Sequence, residues 1–427
     1  MAASGNLTFR DDNDTEQVIE KKNLVTVIPD TDGKSSLIIH VQHHPENGTA
    51  PPEVKFSKGA IQDYSRPDTA HVDETHVLIS TGSGTTLAKQ FFDQAVSPVL
   101  QALSPASYPD FHIYHTQSAT SIEELTSAVL FPKADSGSSL RIILLSGDGG
   151  IIDLVNGLLS TSPSSSYKPP KVDLLPLGTA NALYHSINGG KDDTWGLSAL
   201  ATERYRPLPI FAAKFSADAR LLVDEALSTE ELSKDAKSGE PTLHGAVVCS
   251  WGMHASLVAD SDTSEYRKFG IDRFKLAAKE ALFPADGSLP HPYKAKVSIL
   301  KGDEWKQLDA QEHMYVLASM VSNLEKTFTI SPASKPLDGS LHLVQFGPTN
   351  GEEAMRIMGL AYQGGKHVDD GAVLYESIDG LKIQFEGKEK DARWRRICID
   401  GKIVRLEENG WVEVRKEQRR VLDVASI

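Results

Sequence analysis

The chain has 427 residues, is 40% hydrophobic and 24% charged, and carries a formal net charge of −14. This length allows two or three domains, and the composition is that of a globular rather than a disordered chain. The acidic balance argues against a nucleic-acid partner and against tight electrostatic docking on anionic lipid, since both need basic surface. Cys249 and Cys398, the only cysteines, sit in apolar runs, which fits reduced, buried thiols in an intracellular protein. The start, MAASGNLTFRDDND, has no secretory pattern, and no apolar stretch is long enough to span a bilayer. The expected location is therefore cytoplasmic and peripherally membrane-associated.

Residues 1–21 are polar and acidic and read as disordered at the start. Leu24–Ile28 and Ser36–Val41 are short strand-like runs in a small β extension, left through a polar stretch from Ser57 to Thr75. Residues 1–70 thus form an N-terminal extension. From His76 the pattern alternates between strands and helices. The strands are Val77–Ser80, Phe111–Thr116, Leu140–Leu145 and Val172–Gly178. The helices are Thr85–Leu103, Ser121–Leu130, Ile151–Leu159 and Ala182–Ile187. Alternation of this kind predicts a parallel sheet with helices on both faces, which binds ligands at the carboxyl ends of its strands. Residues 71–207 are assigned to this α/β domain.

After Pro207 short β-like runs dominate. They are Phe211–Phe215, Gly245–Trp251, Ala295–Leu300, Met314–Met320, Ser340–Phe346, Leu381–Phe385, Arg396–Ile399 and Trp411–Val414. Helical stretches at Glu265–Leu282 and Gly351–Tyr362 interrupt them, and Ser228–Pro241 reads as a charged surface insertion. Residues 208–427 are expected to form an all-β sandwich domain.

Four small-residue turns fall at strand ends: Ser80–Gly84, Thr116–Thr120, Ser146–Gly150 and Gly178–Asn181. Any one is routine, but four on one sheet edge can present backbone N–H groups to phosphate oxygens. None matches GK[ST] or GxGxxG, which disfavours a P-loop enzyme or a dinucleotide-binding dehydrogenase. Asp148 is the odd member. A carboxylate beside phosphates is repelled unless it holds a metal ion or takes a proton from an attacking hydroxyl; otherwise it caps a helix.

The stretch SGDGGIIDLVNGL resembles the GDG-x-x-x-E-x-x-NGL signature of the diacylglycerol kinase catalytic family, and within it the sphingosine and long-chain-base kinases. LLPLGTANAL, VLISTGSGTTLAKQFF, YHTQSATSIEEL, SWGMHASLVADSDTSEYRKFGIDRF, PLDGSLHLV, GGKH and ICIDG resemble further landmarks of that family, in the family's order. The resemblance spans roughly Val77 to Val414. It implies a first domain similar to NAD kinases and phosphofructokinases, a second β-sandwich domain, and an active site in the cleft between them.

By that resemblance Asp148 would be the general base. ATP would be held by Ser80, Thr81, Gly82, Ser83, Gly84, Thr116, Gln117, Thr120, Ser146, Gly147, Gly149, Gly178, Thr179, Ala180 and Asn181, with Arg267 and Arg273 on its phosphates. Asp400 and Gly401 would close over the nucleotide, and Asp260, or its neighbour Asp262, would bind the polar head of a lipid. Magnesium would bridge the phosphates. The expected reaction is transfer of the γ-phosphate of ATP to a primary hydroxyl of a sphingoid base or diacylglycerol-like lipid. The alternative is a catalytically weak, nucleotide- or lipid-binding regulatory protein of the same fold. Four departures from the family pattern bear on that choice. Asp153 stands for the usual Glu, Ala180 for the second glycine of its loop, the first turn lacks Asn-Pro, and Lys402 replaces the Glu of D-G-E.

Overall fold

The strand Leu140–Ser146 lies inside a six-stranded sheet, and its near-continuous apolar run reflects burial on both faces. The computed structural model describes residues 5–11, 13–31, 35–43, 50–61, 72–84, 86–104, 111–235, 238–270 and 272–427. In that sheet the order is Tyr205–Pro207, Asp423–Ala425, Lys171–Pro176, Leu140–Ser146, Glu74–Ile79, His112–His115. All neighbours are parallel except the edge pair Tyr205–Pro207 with Asp423–Ala425. The C-terminal strand Asp423–Ala425 thus belongs to the first sheet, whereas the sequence boundary at residue 208 left it in the second domain. Three residues are too few to show a pattern, but Leu422 and Val424 are fully buried there.

The expected helices form on both faces. Ala88–Phe91 continues through a π-helical turn, Phe92–Val96, into Ser97–Leu103. Ser121–Leu125 does the same through Thr126–Leu130 into Phe131–Asp135, further than the sequence pattern carried it. Each π turn lies just before a proline, Pro98 or Pro132, which lacks the N–H for the regular ladder. Thr85, the expected first residue of one helix, lies outside the described residues.

The first residues, 1–4, where disorder was expected, lie outside the described residues, and from Asn6 the N-terminal segment forms strands. Asn6–Asp11 and Glu16–Glu20 pair as a hairpin in a five-stranded antiparallel sheet with Leu24–Pro29, Ser36–Gln42 and Glu53–Ala60. In each hairpin strand only one side chain, Phe9 or Ile19, is buried, so apolar periodicity is almost absent. Val25, Ile39 and Val41 attach this sheet to the helix at 88–103.

The C-terminal region contains two antiparallel sheets of six and eight strands. Phe211, Val297, Ile383 and Val414 of one pack against Trp251, Val316, Leu343 and Ile397 of the other in a shared core. It is β-rich rather than all-β, because helices Met253–Ser261, Ser264–Arg267, Asp272–Leu282 and Gly351–Ala361 are also present. The expected helix Glu265–Leu282 is broken near Gly270 (φ 56°). The expected strand Gly245–Trp251 is two strands in different sheets, Thr242–Gly245 and Val248–Gly252, interrupted at Ala246–Val247. Within the expected insertion, Ser228–Glu231 is an exposed edge strand.

Candidate active site

The parallel register brings the four small-residue turns to one level. Ser80 N–H donates to Leu145 O, Thr116 N–H to Ile79 O and Leu177 N–H to Ser146 O, at 3.0, 3.0 and 3.1 Å. Backbone then packs on backbone. A Cβ on Gly84 would lie 2.4 Å from Leu177 O, one on Gly147 2.7 Å from Gly178 Cα, and one on Gly178 2.3 Å from Gly147 Cα. These three glycines are required by contact, and Gly84 also by its φ of 53°.

Side-chain oxygens fix the turn shapes. Ser83 Oγ accepts from Gly147 N–H (3.3 Å), and Asn181 Oδ1 from Gly178 N–H (2.9 Å). Ser121 Oγ accepts from Gln117 and Ser118 N–H at 3.0 and 2.9 Å. Thr81 N–H donates to Thr116 Oγ1 (2.9 Å), and Thr81 Oγ1 to Thr116 O (2.7 Å). Ser118 Oγ is 3.0 Å from Thr120 Oγ1. Gly82 and Gly149 have no heavy atom within 4 Å of an added Cβ, so the surface around them is open to a ligand. The left-handed residue of the fourth turn is Asn181 (φ 54°), which leaves its neighbours Thr179 and Ala180 free of that strain.

Asp148 opens the helix Asp148–Leu159, yet it caps a different one. Its Oδ2 and Oδ1 accept from the N–H groups of Ala182 and Leu183, at 2.8 and 2.9 Å, in the first turn of Ala182–Asn188. Burial pushes its carboxyl up, and these two N–H bonds pull it down. Each oxygen retains a second acceptor direction. The rest of the helix is tied to its surroundings by its own signature residues. Gly150 packs on the buried Ser146, and Gly157 on Thr126, where a Cβ would lie at 2.4 and 2.7 Å. Asn156 donates to His244 O and accepts from His244 N–H, both at 3.0 Å, pinning the helix to the strand Thr242–Gly245.

Asp400 sits against the strand break at 246–247. Its carboxylate accepts from the N–H groups of Ala246, Val247 and Val248 at 2.5–3.1 Å. These peptides lie where the chain changes sheets, so the interruption and Asp400 are one feature. The carboxylate is turned inward, which leaves Gly401 (φ 95°, nothing within 4 Å) as the open member of the pair expected to cover the nucleotide. Burial pushes Asp400 up to about 7, against those N–H bonds and with the nearby Asp148 charge adding to the rise.

The remaining charged candidates form pairs. Asp260 is held by Arg393 and Arg396, both at 2.8 Å. Asp262 holds Arg267 (3.0 Å) and Arg273 (3.5 Å). Of the two aspartates, Asp262 is therefore the one grouped with the arginines expected at phosphate. Lys402 Nζ is 2.7 Å from Asp153 and 3.9 Å from Glu123, linking the strand Lys402–Arg405 to the helix at 148–159. Asn156, Arg393 and Arg396 were not singled out from sequence. For Asn156 the signal was present, since it is the Asn of the NGL segment.

A phosphate-shaped turn set in a parallel sheet joined to a β-rich region is thus in place, and residues 74–213 match the diacylglycerol kinase catalytic domain. The chain carries a diacylglycerol kinase catalytic domain. Mouse (Mus musculus) sphingosine kinase 1 is 23% identical over 321 residues, covering 69% of this chain and 77% of that protein. A crystal structure of a diacylglycerol kinase from Bacillus anthracis str. Sterne superposes with a TM-score of 0.52 at 15% identity, covering 84% of this chain and 99% of that one. A second structure from the same organism has a TM-score of 0.54 with the same coverage and identity. At the family level the chain is a lipid kinase. Among the described residues no helix is long and apolar enough to cross a membrane.

Proposed function

We propose that the chain transfers the γ-phosphate of ATP to a primary hydroxyl of a sphingoid base or diacylglycerol-like lipid, with Asp148 as general base. The observation that carries this reading is the placement of Asp148. It lies where the Gly147 and Gly178 turns touch, with each carboxylate oxygen fixed by one N–H and a second acceptor direction left over. A base must be held within hydrogen-bond reach of the proton it takes, and phosphoryl transfer depends mainly on positioning and charge neutralisation. The turns around Gly82 and Gly149 are open where phosphates would approach. The donor set fits magnesium bound together with ATP, because Asp148 can still contribute an oxygen while the phosphates supply the others. Bound there, the ion would neutralise charge on the transferring phosphate. Arg267 and Arg273 would add bidentate donors once released from Asp262.

The lipid would be reached at a membrane surface. Phe269, Leu276, Phe283, Met355 and Tyr362 are exposed on or beside the helices Asp272–Leu282 and Gly351–Ala361, which supports an apolar contact face there. A second reading, a weakly catalytic nucleotide- or lipid-binding regulator, draws on Lys402. Where relatives place an acid, this chain has a cation already committed to Asp153.

Purified protein, labelled ATP and a panel of sphingoid bases and diacylglycerols separate the two. The kinase reading expects lipid phosphorylation that falls by about 10²–10⁴-fold in Asp148→Asn. ATP binding without turnover on any lipid would support the regulator instead, and undiminished activity in Asp148→Asn would remove Asp148 from the mechanism.

A further inference from the structure

The opposite end of the parallel sheet carries a second cluster that phosphoryl transfer does not use. Glu74 and His76 are two residues apart on one strand and so share a face. His112, on the neighbouring edge strand, is the register partner of His76. Strand geometry alone therefore places three metal-ligating side chains side by side. Nε2 of His76 lies 3.2 Å, and Nε2 of His112 3.5 Å, from the same oxygen, Glu74 Oε2, and the three ligand atoms all fall within 4.8 Å of one another.

His76 is fully buried; its Nδ1 has no hydrogen-bond partner, and its Nε2 faces only Glu74 Oε2 at 3.2 Å. Leaving such groups unsatisfied is costly. The two distances to Glu74 Oε2 match ligands around a common centre, since atoms each about 2.1 Å from a tetrahedral zinc ion lie roughly 3.4 Å apart; the two histidine nitrogens fall within 4.8 Å of each other. The rings of His76 and His112 stack with centroids 4.8 Å apart. Lys133 binds the other carboxylate oxygen, Oε1, at 2.7 Å. His112 is half-exposed, which gives an ion access and leaves room for water as a fourth ligand.

We propose that Glu74, His76 and His112 form a binding site for a divalent transition metal of the zinc class, remote from the nucleotide turns. It is a two-histidine, one-carboxylate set with an open fourth position. Its placement between two strands and the nearby helix Phe131–Asp135 suits a role in fastening the edge strand His112–His115 to the sheet.

The test uses untagged, full-length protein stripped by dialysis against a chelator and then titrated with Zn²⁺ and, separately, Co²⁺. One zinc per chain is expected, with visible absorption bands of tetrahedral cobalt. His112→Ala and Glu74→Gln should each weaken zinc binding at least tenfold, and neither substitution enters the hydrophobic core. Lys133→Gln removes a competing cation and should tighten zinc severalfold. Nucleotide binding should be unchanged in His112→Ala, since the two sites lie at opposite ends of the sheet. The proposal is overturned if no zinc is retained, or if the affinity is the same in wild type, His112→Ala and Glu74→Gln.

Discussion

Lys402 Nζ and Asp153 Oδ1 lie 2.7 Å apart, joining the β-rich region to the helix that Asp148 begins. Both are largely buried, with side-chain exposures of 24% and 13%. The two positions are also two of the four at which the chain departs from its family's pattern. They are met as one ion pair, so the cation replacing an acid is matched by a carboxylate on the facing helix.

Breaking this pair from one side leaves a buried charge. Lys402→Met is expected to destabilise the protein by about 3 kcal/mol, measured by denaturant unfolding. Lys402→Glu should be worse, since it sets an acid beside Asp153 and Glu123. Adding Asp153→Asn to Lys402→Met should recover most of the loss. Additive effects in the double variant would show that the two residues are not coupled.

Gly178→Ala places a methyl group 2.3 Å from Gly147 Cα, where only backbone can yield. A loss of about 3 kcal/mol is expected, together with weaker ATP binding, because the turns must separate. Gly149→Ala meets nothing within 4 Å and lies in the first turn of a helix. It should raise stability by about 0.5–1 kcal/mol. Thermal unfolding of the two variants side by side tests the contrast, and similar shifts in both would refute it.

Asn156→Ala removes both hydrogen bonds to the His244 peptide, leaving a buried N–H and C=O unmatched. The expected cost is about 1–3 kcal/mol. Because the bonds cross from the α/β helix to the β-rich region, calorimetry should show a broader or more split unfolding profile in the variant than in wild type. A sharp, unshifted transition would count against Asn156 as a clasp.

The Asp400 carboxyl, raised from 3.8 to about 7, makes a signed pH prediction. Between those values the folded protein holds a proton that the unfolded chain has released. Its contribution to stability is therefore lost as pH rises through that window and is constant on either side. Asp400→Asn abolishes the titration. The Tm of the variant relative to wild type should climb from pH 4 to pH 8, whatever its offset from altered hydrogen bonding. Parallel Tm curves for the two proteins would show that Asp400 does not titrate there.

Much of the α/β domain was legible because its strands and helices repeat over many residues. Leu140–Ser146 shows as a strand through its apolar run, interrupted only by Arg141, and Asp148 stood out as a charge in a glycine turn. The hairpin at Asn6–Glu20 was invisible, since one buried residue per strand carries no period. The break at Ala246–Val247 was hidden inside an unbroken apolar run. What interrupts it is Asp400, more than 150 positions away in sequence.

The sequence by itself determined the alternation of strands, turns and helices from His76 to Ile187, the family signature and the residue types at the turns, because these follow from short-range periodicity and local chemistry. Only the tertiary structure decided which of those residues meet. Gly147 touches Gly178, Asp148 caps the helix at 182–188, Lys402 answers Asp153, and Asp423–Ala425 returns to the first sheet. Such pairings are set by packing between segments distant in the chain, where burial makes each unmatched charge or peptide costly and so selects a single partner.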